Sequence, residues 1–595
     1  MIATAKISRV LAGNVQLGIR YRYRCLTRAF TSTPRVSDGQ LADRCELHVV
    51  SSPFPPLSIK DRNDPLPEFV MSSWAGKGGH LGDQVAIIDG TTGMQRTYTD
   101  FYNSTCGLAG SLKYDLGVEE KSCVCLFAPN HVDYLPVTLA VGLCGAKITP
   151  VNPLYKKEEL QIILDRSHST VLIAHANTLE VALEAAWSSK YVKHVIVMTE
   201  NGEASPLEGV ESLDSIKTHP RAFDTTVREM HPHIDHHPYL LPYSSGTTGL
   251  PKGVCLTHFN MVANLLQIEE VEGMAFGMGE KLLSPLPFFH IYGMTVSSIY
   301  CGWKGHPIIT MSGRFDFPLF LDLIKEHRPN RAHLVPPIIL GLAKHPLVDE
   351  YDFSSLKCII SAAAPLGLDI ELAAKQRLGC EIKQGWGMSE LSPIATLNSD
   401  FNIKPSSVGP LVASTYGKVV DENGKSLGPN EDGELCIKGP QVMMGYLDDP
   451  DKTAECLSPS GWLRTGDVAH YDEDGFFYIT DRIKELIKVR GYPVAPAELE
   501  ALLLTHDWIN DVAVIQKPCN ESGELPRAYV VLKDPEKQTE ETKAHIYDWV
   551  KERVAPYKRL NGGIVFTDTI PKSASGKILR RLLRDSLKAE LEGST

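Results

Sequence analysis

Several features that define common protein classes are missing from this sequence of 595 residues. The longest apolar run, at residues 134–145, is well short of the 18 or more residues that a membrane-spanning helix needs. The 13 cysteines include no C-x-x-C pair, which disfavours a zinc finger or a dithiol redox site and suits reduced, mostly buried thiols. The histidines within residues 231–237 match no zinc spacing, so a solvated loop is the favoured interpretation.

Acidic residues are absent from residues 1–37, which instead carry seven Lys or Arg and many hydroxyl side chains. This composition is typical of a mitochondrial transit peptide and predicts a matrix protein. A disordered basic tail, and with it a cytoplasmic location, is the alternative. The whole chain has a net charge of -12, and without the seven basic residues of this segment the remainder carries -19, so we expect no nucleic-acid partner, and any anion site must be built locally.

The order of apolar runs predicts an α/β fold. Between residues 84 and 361, short β-branched runs alternate with longer amphipathic segments, which is typical of parallel sheets covered by helices. The predicted strands are "VAIID", "SCVCLFAP", "AKITPVN", "TVLIAHA", "HVIVMT", "HPIITM" and "KCIISA". The pattern of predicted secondary structure changes near Asp481. From there the sequence predicts a helix at "VAPAELEALLLTH", strands at "VAVIQ" and "AYVVL", a helix near 543–554 and a last helix from about Lys577 to Leu591. We therefore predict a large domain (38–480), a hinge (481–484) and a small α+β domain (485–595).

The stretch "LPYSSGTTGLPKGV", residues 241–254, contains the groups that hold phosphate. Backbone N–H groups of a glycine-rich turn can converge on an anion, and hydroxyls and a lysine add donors and charge. Its spacing is not that of a Walker A loop, because Lys252 is followed by Gly253 rather than by a hydroxyl residue. By itself such a cluster is more often a turn or linker.

Six further motifs follow in order: "SPLPFFHIYGM" (284–294), "SAAAPLG" (361–367), "QGWGMSE" (384–390), "GWLRTGD" (461–467), "DRIKELIKVRGYPVAPAELE" (481–500) and "PKSASGK" (571–577). Together with the glycine-rich loop they resemble the adenylate-forming, AMP-binding superfamily, most closely its 4-coumarate-CoA ligase-like branch of acyl-CoA synthetases, over roughly residues 60–590. The resemblance implies a large multi-layered N-terminal domain and a small, mobile C-terminal one. It also implies ATP, Mg²⁺ and coenzyme A, and a reaction in which a carboxylate and ATP give an acyl-AMP before a thiol displaces AMP.

The resemblance assigns a nucleotide site. The triphosphate loop is implied to comprise Ser244, Ser245, Gly246, Thr247, Thr248, Gly249 and Lys252. The remaining nucleotide contacts are implied at Ala363, Ala364, Pro365, Gly385, Trp386, Gly387, Met388, Ser389, Asp467, Ile479 and Arg482, with Glu390 as the Mg²⁺ ligand. Two positions depart from the usual pattern: Ser389 keeps the hydroxyl of the commoner Thr, and Trp386 stands where a tyrosine usually stacks on adenine, so the phenol hydrogen bond is lost.

The two half-reactions are implied to use different residues. Lys577 matches the lysine that bridges the carboxylate and the α-phosphate during adenylation, and His290 matches the gate beside the acyl carboxylate. Lys488 and Gly491 match the positions that serve the coenzyme A end after the small domain rotates. Pro493 stands where 4-coumarate ligases carry Gln, so the function of that amide is lost.

The acyl pocket is implied at His290, Tyr292, Thr295, Ala362, Gly387, Pro393, Ile394 and Ala395. An apolar wall suits a medium-chain fatty acid or a cinnamate-type aromatic acid about equally. The alternatives are an amino-acid-activating or luciferase-like enzyme of the same superfamily, or a binding protein that retains the fold without catalysis. The presence of Lys252, Glu390 and Lys577 argues against the last of these. The oligomeric state does not follow from the sequence.

Overall fold

The structure is a computed structural model that describes residues 48–59, 64–74, 80–200, 203, 205, 207–219, 234–244, 251–490, 492–519 and 521–593. The predicted transit peptide, residues 245–249 of the predicted phosphate loop, and Gly491 lie outside these ranges, as does the side chain of Ser244. None of the described helices is long and apolar enough to cross a bilayer.

An eight-stranded sheet carries much of the predicted site. Its order across the sheet is Ile394–Leu397, Glu381–Gly387, Cys358–Ser361, Arg331–Leu334, Leu282–Leu283, Ile308–Thr310, Val85–Asp89 and Gln95–Thr97. The six central strands run parallel and the two edge pairs are antiparallel. Parallel strands must be joined by crossover segments, and the helices between them cover the sheet faces.

A nine-stranded sheet forms the second layer. Its order is Tyr243–Ser244, Lys252–Thr257, Pro238–Leu240, Lys147–Val151, Cys123–Phe127, Ser169–His175, His194–Met198 and Glu211–Ser212, and Gly445–Tyr446 also pairs with Lys252–Thr257. Strands formed at all seven predicted apolar runs, which divide between the two parallel sheets. The α/β prediction is therefore confirmed.

Two smaller sheets complete the chain. One is antiparallel and contains Val50–Ser51, Tyr416–Val420, Gly433–Lys438, Leu463–Tyr471 and Phe477–Arg482. The other, the C-terminal sheet, contains Tyr492–Val494, Ile487–Val489, Gly523–Leu532, Ile509–Cys519 and Ile564–Phe566. The C-terminal sheet has its own core, built from apolar residues between 487 and 566, which agrees with a separate small α+β domain.

The helices lie between these strands. The α-helices are Leu66–Met71, Tyr98–Tyr114, Tyr134–Leu143, Lys157–Ser167, Leu179–Ser188, Leu213–Ile216, His258–Glu272, Tyr300–Lys304, Phe317–His327, Pro336–Lys344, Leu368–Leu378, Pro450–Cys456, Pro496–Leu504, Glu540–Lys551 and Arg580–Gly593. The 3₁₀ turns are Ala176–Thr178, Pro346–Glu350, Ser389–Leu391, Pro535–Lys537 and Pro556–Lys558, and Tyr292–Ile299 is a wider π-type helix.

The last helix differs from its prediction. It begins at Arg580 rather than at about Lys577, because the preceding residues form a tight loop closed by hydrogen bonds between Ser573 and Lys577. Gly576 has a φ of +76° in this loop, a left-handed conformation that disfavours a helix and that glycine adopts at low cost. Lys577 therefore stands on a loop ahead of the helix.

Candidate active site

Two groups of the predicted nucleotide residues follow the carboxyl ends of parallel strands. The loop at 362–365 follows Cys358–Ser361, and Ser389–Leu391 follows Glu381–Gly387 in the same eight-stranded sheet. This edge is where open α/β sheets bind their ligands. Ala363 has a φ of +74°, which is uncommon for a residue with a Cβ and marks backbone held by its surroundings at a candidate ligand loop.

Asp467 and Arg482 meet because they face each other on neighbouring strands. They are direct cross-strand partners in the antiparallel sheet, and Nε of Arg482 lies 3.1 Å from Oδ1 of Asp467. Trp386 approaches from the eight-stranded sheet, and its indole Nε1 donates a hydrogen bond to the other carboxylate oxygen, Oδ2, at 2.9 Å. The sequence predicted the loss of a phenol hydrogen bond here but missed this new bond, in which the indole orients the carboxylate.

The Asp467 carboxylate retains binding capacity. Its side chain is buried, and Oδ1 accepts no well-aligned hydrogen bond from the part of the chain that the structure describes. Burial raises the pKa of Asp467, while Arg482, the Trp386 hydrogen bond and Lys577 act in the opposite direction. Although Oδ1 is ion-paired with Arg482, it has no aligned hydrogen-bond donor among the described residues, so it can accept a hydrogen bond from a ligand hydroxyl, such as those of a ribose.

The charge of Lys577 acts on the same cluster. Gly576 packs so closely on the start of the helix Pro336–Lys344 that a Cβ there would lie 3.0 Å from Cγ2 of Val335, so the loop lies directly against the large domain. Burial lowers the pKa of Lys577 to about 8; Arg482 and Arg580 also lower it, whereas Asp467 and Glu485 raise it. Burial therefore disfavours the charged form of Lys577, and a bound ligand that brings negative charge would stabilise its ammonium.

His290 stands near Lys577 at the other side of the site. Its Nδ1 accepts a hydrogen bond from the backbone N–H of Tyr292 at 3.3 Å, which leaves Nε2 to carry the ring proton. Burial, and then the charge of Lys577, lower the pKa of His290 to about 4. A neutral imidazole at this position can donate a hydrogen bond to a carboxylate without competing with the ammonium.

Glu390 and Lys252 are joined through a residue that the sequence analysis missed. The hydroxyl of Tyr446 donates to Oε1 of Glu390 at 2.9 Å, and the ammonium of Lys252 lies 4.7 Å from the centre of the Tyr446 ring. Glu390 is buried. The strand pairing of Val254 with Tyr446 explains the approach, because it places Tyr446 beside the strand that begins at Lys252.

One glycine of the site is required by close packing. A Cβ on Gly387 would lie 2.0 Å from the carbonyl oxygen of Pro393, and the N–H of Met388 donates to that same oxygen at 3.0 Å. Any larger residue at 387 would force this turn apart. The turn places Ser389 and Glu390 immediately after the strand that carries Trp386.

A small cavity lies beside several of the predicted residues. It is lined by Ile268, Glu272, Phe276, Tyr292, Val296, Tyr300, His333, Ile360, Ala362, Gly385, Ile394 and Leu397. Four residues predicted for the acyl site or the nucleotide site, Tyr292, Ala362, Ile394 and Gly385, are thus brought to one cavity. Thr295 lies on the same π-type helix but outside this lining, with its hydroxyl buried and without a partner among the described residues.

Lys488 stands apart from the Lys577 cluster. Its side chain is exposed on the strand Ile487–Val489, and its backbone N–H donates to Glu524 at 2.7 Å. It is not one of the charged groups that shift the pKa of Lys577. The arrangement therefore brings together the residues predicted for adenylation, while the described residue predicted for the coenzyme A step lies elsewhere on the small domain.

Comparison with known proteins identifies the family of this chain. Residues 77–447 match the family model of AMP-binding enzymes, and residues 498–577 match the model of the AMP-binding enzyme C-terminal domain. The chain therefore belongs to the AMP-binding enzyme family. It is 35% identical to a probable 4-coumarate–CoA ligase 2 of Dictyostelium discoideum, over 90% of this chain and 97% of that protein. It is also 35% identical to a 4-coumarate–CoA ligase of Pinus taeda, over 91% and 98%.

Solved structures show the same architecture. An anthranilate CoA ligase in complex with anthranoyl-AMP is similar with a TM-score of 0.80 and 26% identity, over 89% of this chain and 98% of that one. ATP-bound MatB from Rhodopseudomonas palustris has a TM-score of 0.77, over 88% and 99%; at 23% identity it supports the fold alone. The predicted family and fold are confirmed, and the chain is an enzyme of the AMP-forming acid–thiol ligase class that uses ATP, coenzyme A and a small carboxylic acid.

Proposed function

We propose that this enzyme activates a medium-chain fatty acid or a cinnamate-type aromatic acid as an acyl-AMP and transfers the acyl group to coenzyme A. One observation carries the proposal: the charge of Lys577, in the small domain, acts on His290 and on the ion pair of buried Asp467 with the half-exposed Arg482. That arrangement supplies a cation and neutral donors where two anionic reactants must meet.

In the first half-reaction, an oxygen of the acid attacks the α-phosphorus of ATP. A P–O bond to the acyl oxygen forms, the bond to the β-phosphate oxygen breaks, and pyrophosphate leaves with the electron pair. The Lys577 ammonium offsets the repulsion between the carboxylate and the α-phosphate, and Asp467 accepts hydrogen bonds from the ribose. Lys252 meets the phosphates that leave.

Glu390 fits a magnesium ion. Mg²⁺ is commonly bound by one or two carboxylates together with substrate phosphates and water, and no cluster of three or more metal-binding side chains occurs within the described ranges. Glu390 has a buried carboxylate beside Lys252, and only Oε1 is engaged by Tyr446. The ion would supply charge neutralisation on the phosphates, while Tyr446 fixes the rotation of the carboxylate.

In the second half-reaction, the coenzyme A thiol gives up its proton to solvent water and its sulfur attacks the acyl carbon. A C–S bond forms, the bond between the acyl carbon and the oxygen bridging to phosphorus breaks, and AMP leaves with that oxygen. We propose that the small domain rotates about residues 481–484 to bring Lys488 and Gly491 to the site. The exposure of Lys488 supports this step, since the lysine is free of the adenylation cluster.

The test is ATP–pyrophosphate exchange across a panel of acids, followed by acyl-CoA formation with coenzyme A. We expect exchange that depends on the acid, with acetate a poor substrate because most of the cavity's lining residues are apolar and acetate has little apolar surface to bury against them. Lys577→Ala should abolish exchange, whereas Lys588→Ala, a change at an exposed lysine of the last helix, should not. If none of the acids supports exchange, or if Lys577→Ala leaves the exchange rate unchanged, the proposal is refuted.

We also propose that residues 1–37 direct the protein to mitochondria, on the basis of their basic, acid-free composition. A fluorescent protein fused after residue 37 should enter mitochondria. The same fusion with the seven basic residues changed to Gln should stay in the cytosol. Cytosolic fluorescence from both fusions would contradict the proposal.

A further inference from the structure

The small domain is attached to the large domain at points outside the catalytic cluster. One of them is a hydrogen bond in which the ammonium of Lys344 donates to the backbone carbonyl oxygen of Leu504 at 2.6 Å. Lys344 ends the large-domain helix Pro336–Lys344, and Leu504 ends the small-domain helix Pro496–Leu504. The bond therefore joins two helix ends that belong to different domains.

The bond is suited to its place at a helix end. The last four carbonyl groups of a helix have no partner within the helix, and a cation near them is stabilised by the helix dipole. Leu504 is the last residue of its helix, so its carbonyl is one of these groups. Burial lowers the pKa of Lys344, Lys533 acts in the same direction and Asp507 raises it, which places the ammonium among residues of the small domain. A charged donor makes this bond stronger than one between neutral groups.

The helix Pro336–Lys344 is held by the small domain at both of its ends. At its start, a Cβ on Gly576 would lie 3.0 Å from Cγ2 of Val335, so the loop that carries Lys577 lies against this end. At its other end the Lys344 ammonium reaches the small domain. The helix has 9 residues and is about 13 Å long, so the two contacts are well separated on one rigid element. The position of Lys577 is therefore set relative to one helix of the large domain.

A third attachment lies at the proposed hinge. Oδ2 of Asp481 accepts a hydrogen bond from the backbone N–H of Ala497 at 2.9 Å, in the first turn of the helix that ends at Leu504. Three separated points fix the orientation of one rigid body on another, so the small domain cannot turn while all three hold. The attachment at Asp481 is within the hinge, whereas the other two lie on the helix Pro336–Lys344. A turn about residues 481–484 therefore has to release at least one end of that helix.

We infer that Lys344 is an interdomain latch: its bond to Leu504 holds the small domain in the orientation that forms acyl-AMP, and the bond breaks when the domain turns to form the thioester. This rests on the rotation in the proposed function and names a bond that controls it. Lys344 is a positioning residue, because it acts through the placement of Lys577. Its loss shifts the equilibrium toward the second orientation.

The test is Lys344→Met, which keeps an unbranched side chain and removes the ammonium. Each half-reaction is measured alone: ATP–pyrophosphate exchange without coenzyme A, with the best acid of the panel, and acyl-CoA formation from coenzyme A and the preformed acyl-AMP of that acid. Each proceeds from its own orientation, so the ratio of the two rates follows the equilibrium between the orientations. We expect the ratio of acyl-CoA formation to exchange to rise by about tenfold or more, the effect of one hydrogen bond to a charged group.

Two further variants identify the ammonium as the cause. Lys344→Arg keeps a positive charge and N–H donors, so its ratio should be closer to that of the wild type than to that of Lys344→Met. Lys325→Met removes an exposed lysine from the last turn of another large-domain helix, Phe317–His327, and should leave the ratio unchanged. Circular dichroism establishes that each variant is folded. A general loss of stability would slow both half-reactions together and would not change their ratio.

The outcomes separate this inference from the proposed function. If the wild type catalyses both half-reactions and Lys344→Met leaves their ratio unchanged, the inference is overturned and the proposed function stands. An equal ratio in Lys344→Arg and Lys344→Met would also overturn it, because the charge would then have no part in the latch. If no acid supports exchange in the wild type, the proposed function fails and the inference fails with it.

Discussion

The pKa of Lys577 predicts how the first half-reaction depends on pH. Burial lowers this pKa from 10.5 to about 8, so holding the ammonium in the free site costs roughly 3 kcal/mol. The ammonium is the form that offsets the two anions. At pH 7 about nine-tenths of the free enzyme is in this form, and at pH 9 about one-tenth. The kcat/KM for ATP in pyrophosphate exchange should therefore fall about tenfold per pH unit above about pH 8.

Lys577→Arg is the variant that identifies the group. A guanidinium stays charged throughout this range, so the alkaline fall should disappear even where the overall rate is lower. The assay is the initial rate of ATP–pyrophosphate exchange at ATP well below KM, from about pH 6.5 to about pH 9.5. An unchanged alkaline fall in Lys577→Arg, or a flat wild-type profile up to the highest pH, would refute the assignment.

Three other predictions concern neighbouring groups. Trp386→Phe removes the donor to Asp467 and should raise the KM for ATP by about 10- to 100-fold, the effect of about 1.5–3 kcal/mol; Trp187→Phe, at an exposed tryptophan, is the control. Glu390→Gln should slow pyrophosphate exchange by about two orders of magnitude and raise the Mg²⁺ concentration that the exchange requires. The variant should still catalyse the reaction of coenzyme A with preformed acyl-AMP. An equal loss of rate in both assays would contradict the role of Glu390 as the Mg²⁺ ligand. Lys383→Met removes one cation from the buried carboxylates of Glu272 and Asp400, so it should lower the free energy of unfolding, measured by chemical denaturation, by about 3–5 kcal/mol. The control is Lys375→Met, which breaks an exposed ion pair and should lower the free energy of unfolding by less than about 1 kcal/mol.

The sequence could predict the adenylation cluster because its members lie in recognisable motifs. Asp467 and Lys577 are 110 positions apart, and no periodicity relates them. Their motifs, in order, made the prediction possible, and the structure brings them together. The short apolar runs likewise predicted the parallel layers, because parallel strands that are buried on both faces have nearly continuous apolar sequences.

Other parts of the site have no local signature. Glu272, Arg331 and Lys383 occur in ordinary helix and strand contexts, where a charged residue normally indicates a solvated face. Their burial follows only from the pairing of strands Arg331–Leu334, Cys358–Ser361 and Glu381–Gly387 and from the helix that ends at Glu272. Tyr446 was missed for the same reason: its contact with Glu390 depends on an antiparallel pairing between segments almost 200 residues apart.

The central claim is that a carboxylate oxygen becomes bonded to the α-phosphorus of ATP. It can be tested with an acid whose two carboxylate oxygens are ¹⁸O, incubated with the enzyme, ATP, Mg²⁺ and coenzyme A. Mass spectrometry of the products should find one ¹⁸O in AMP and the other in the acyl-CoA, with unlabelled pyrophosphate. AMP without label, or label in ADP or inorganic phosphate, would contradict the acyl-AMP route.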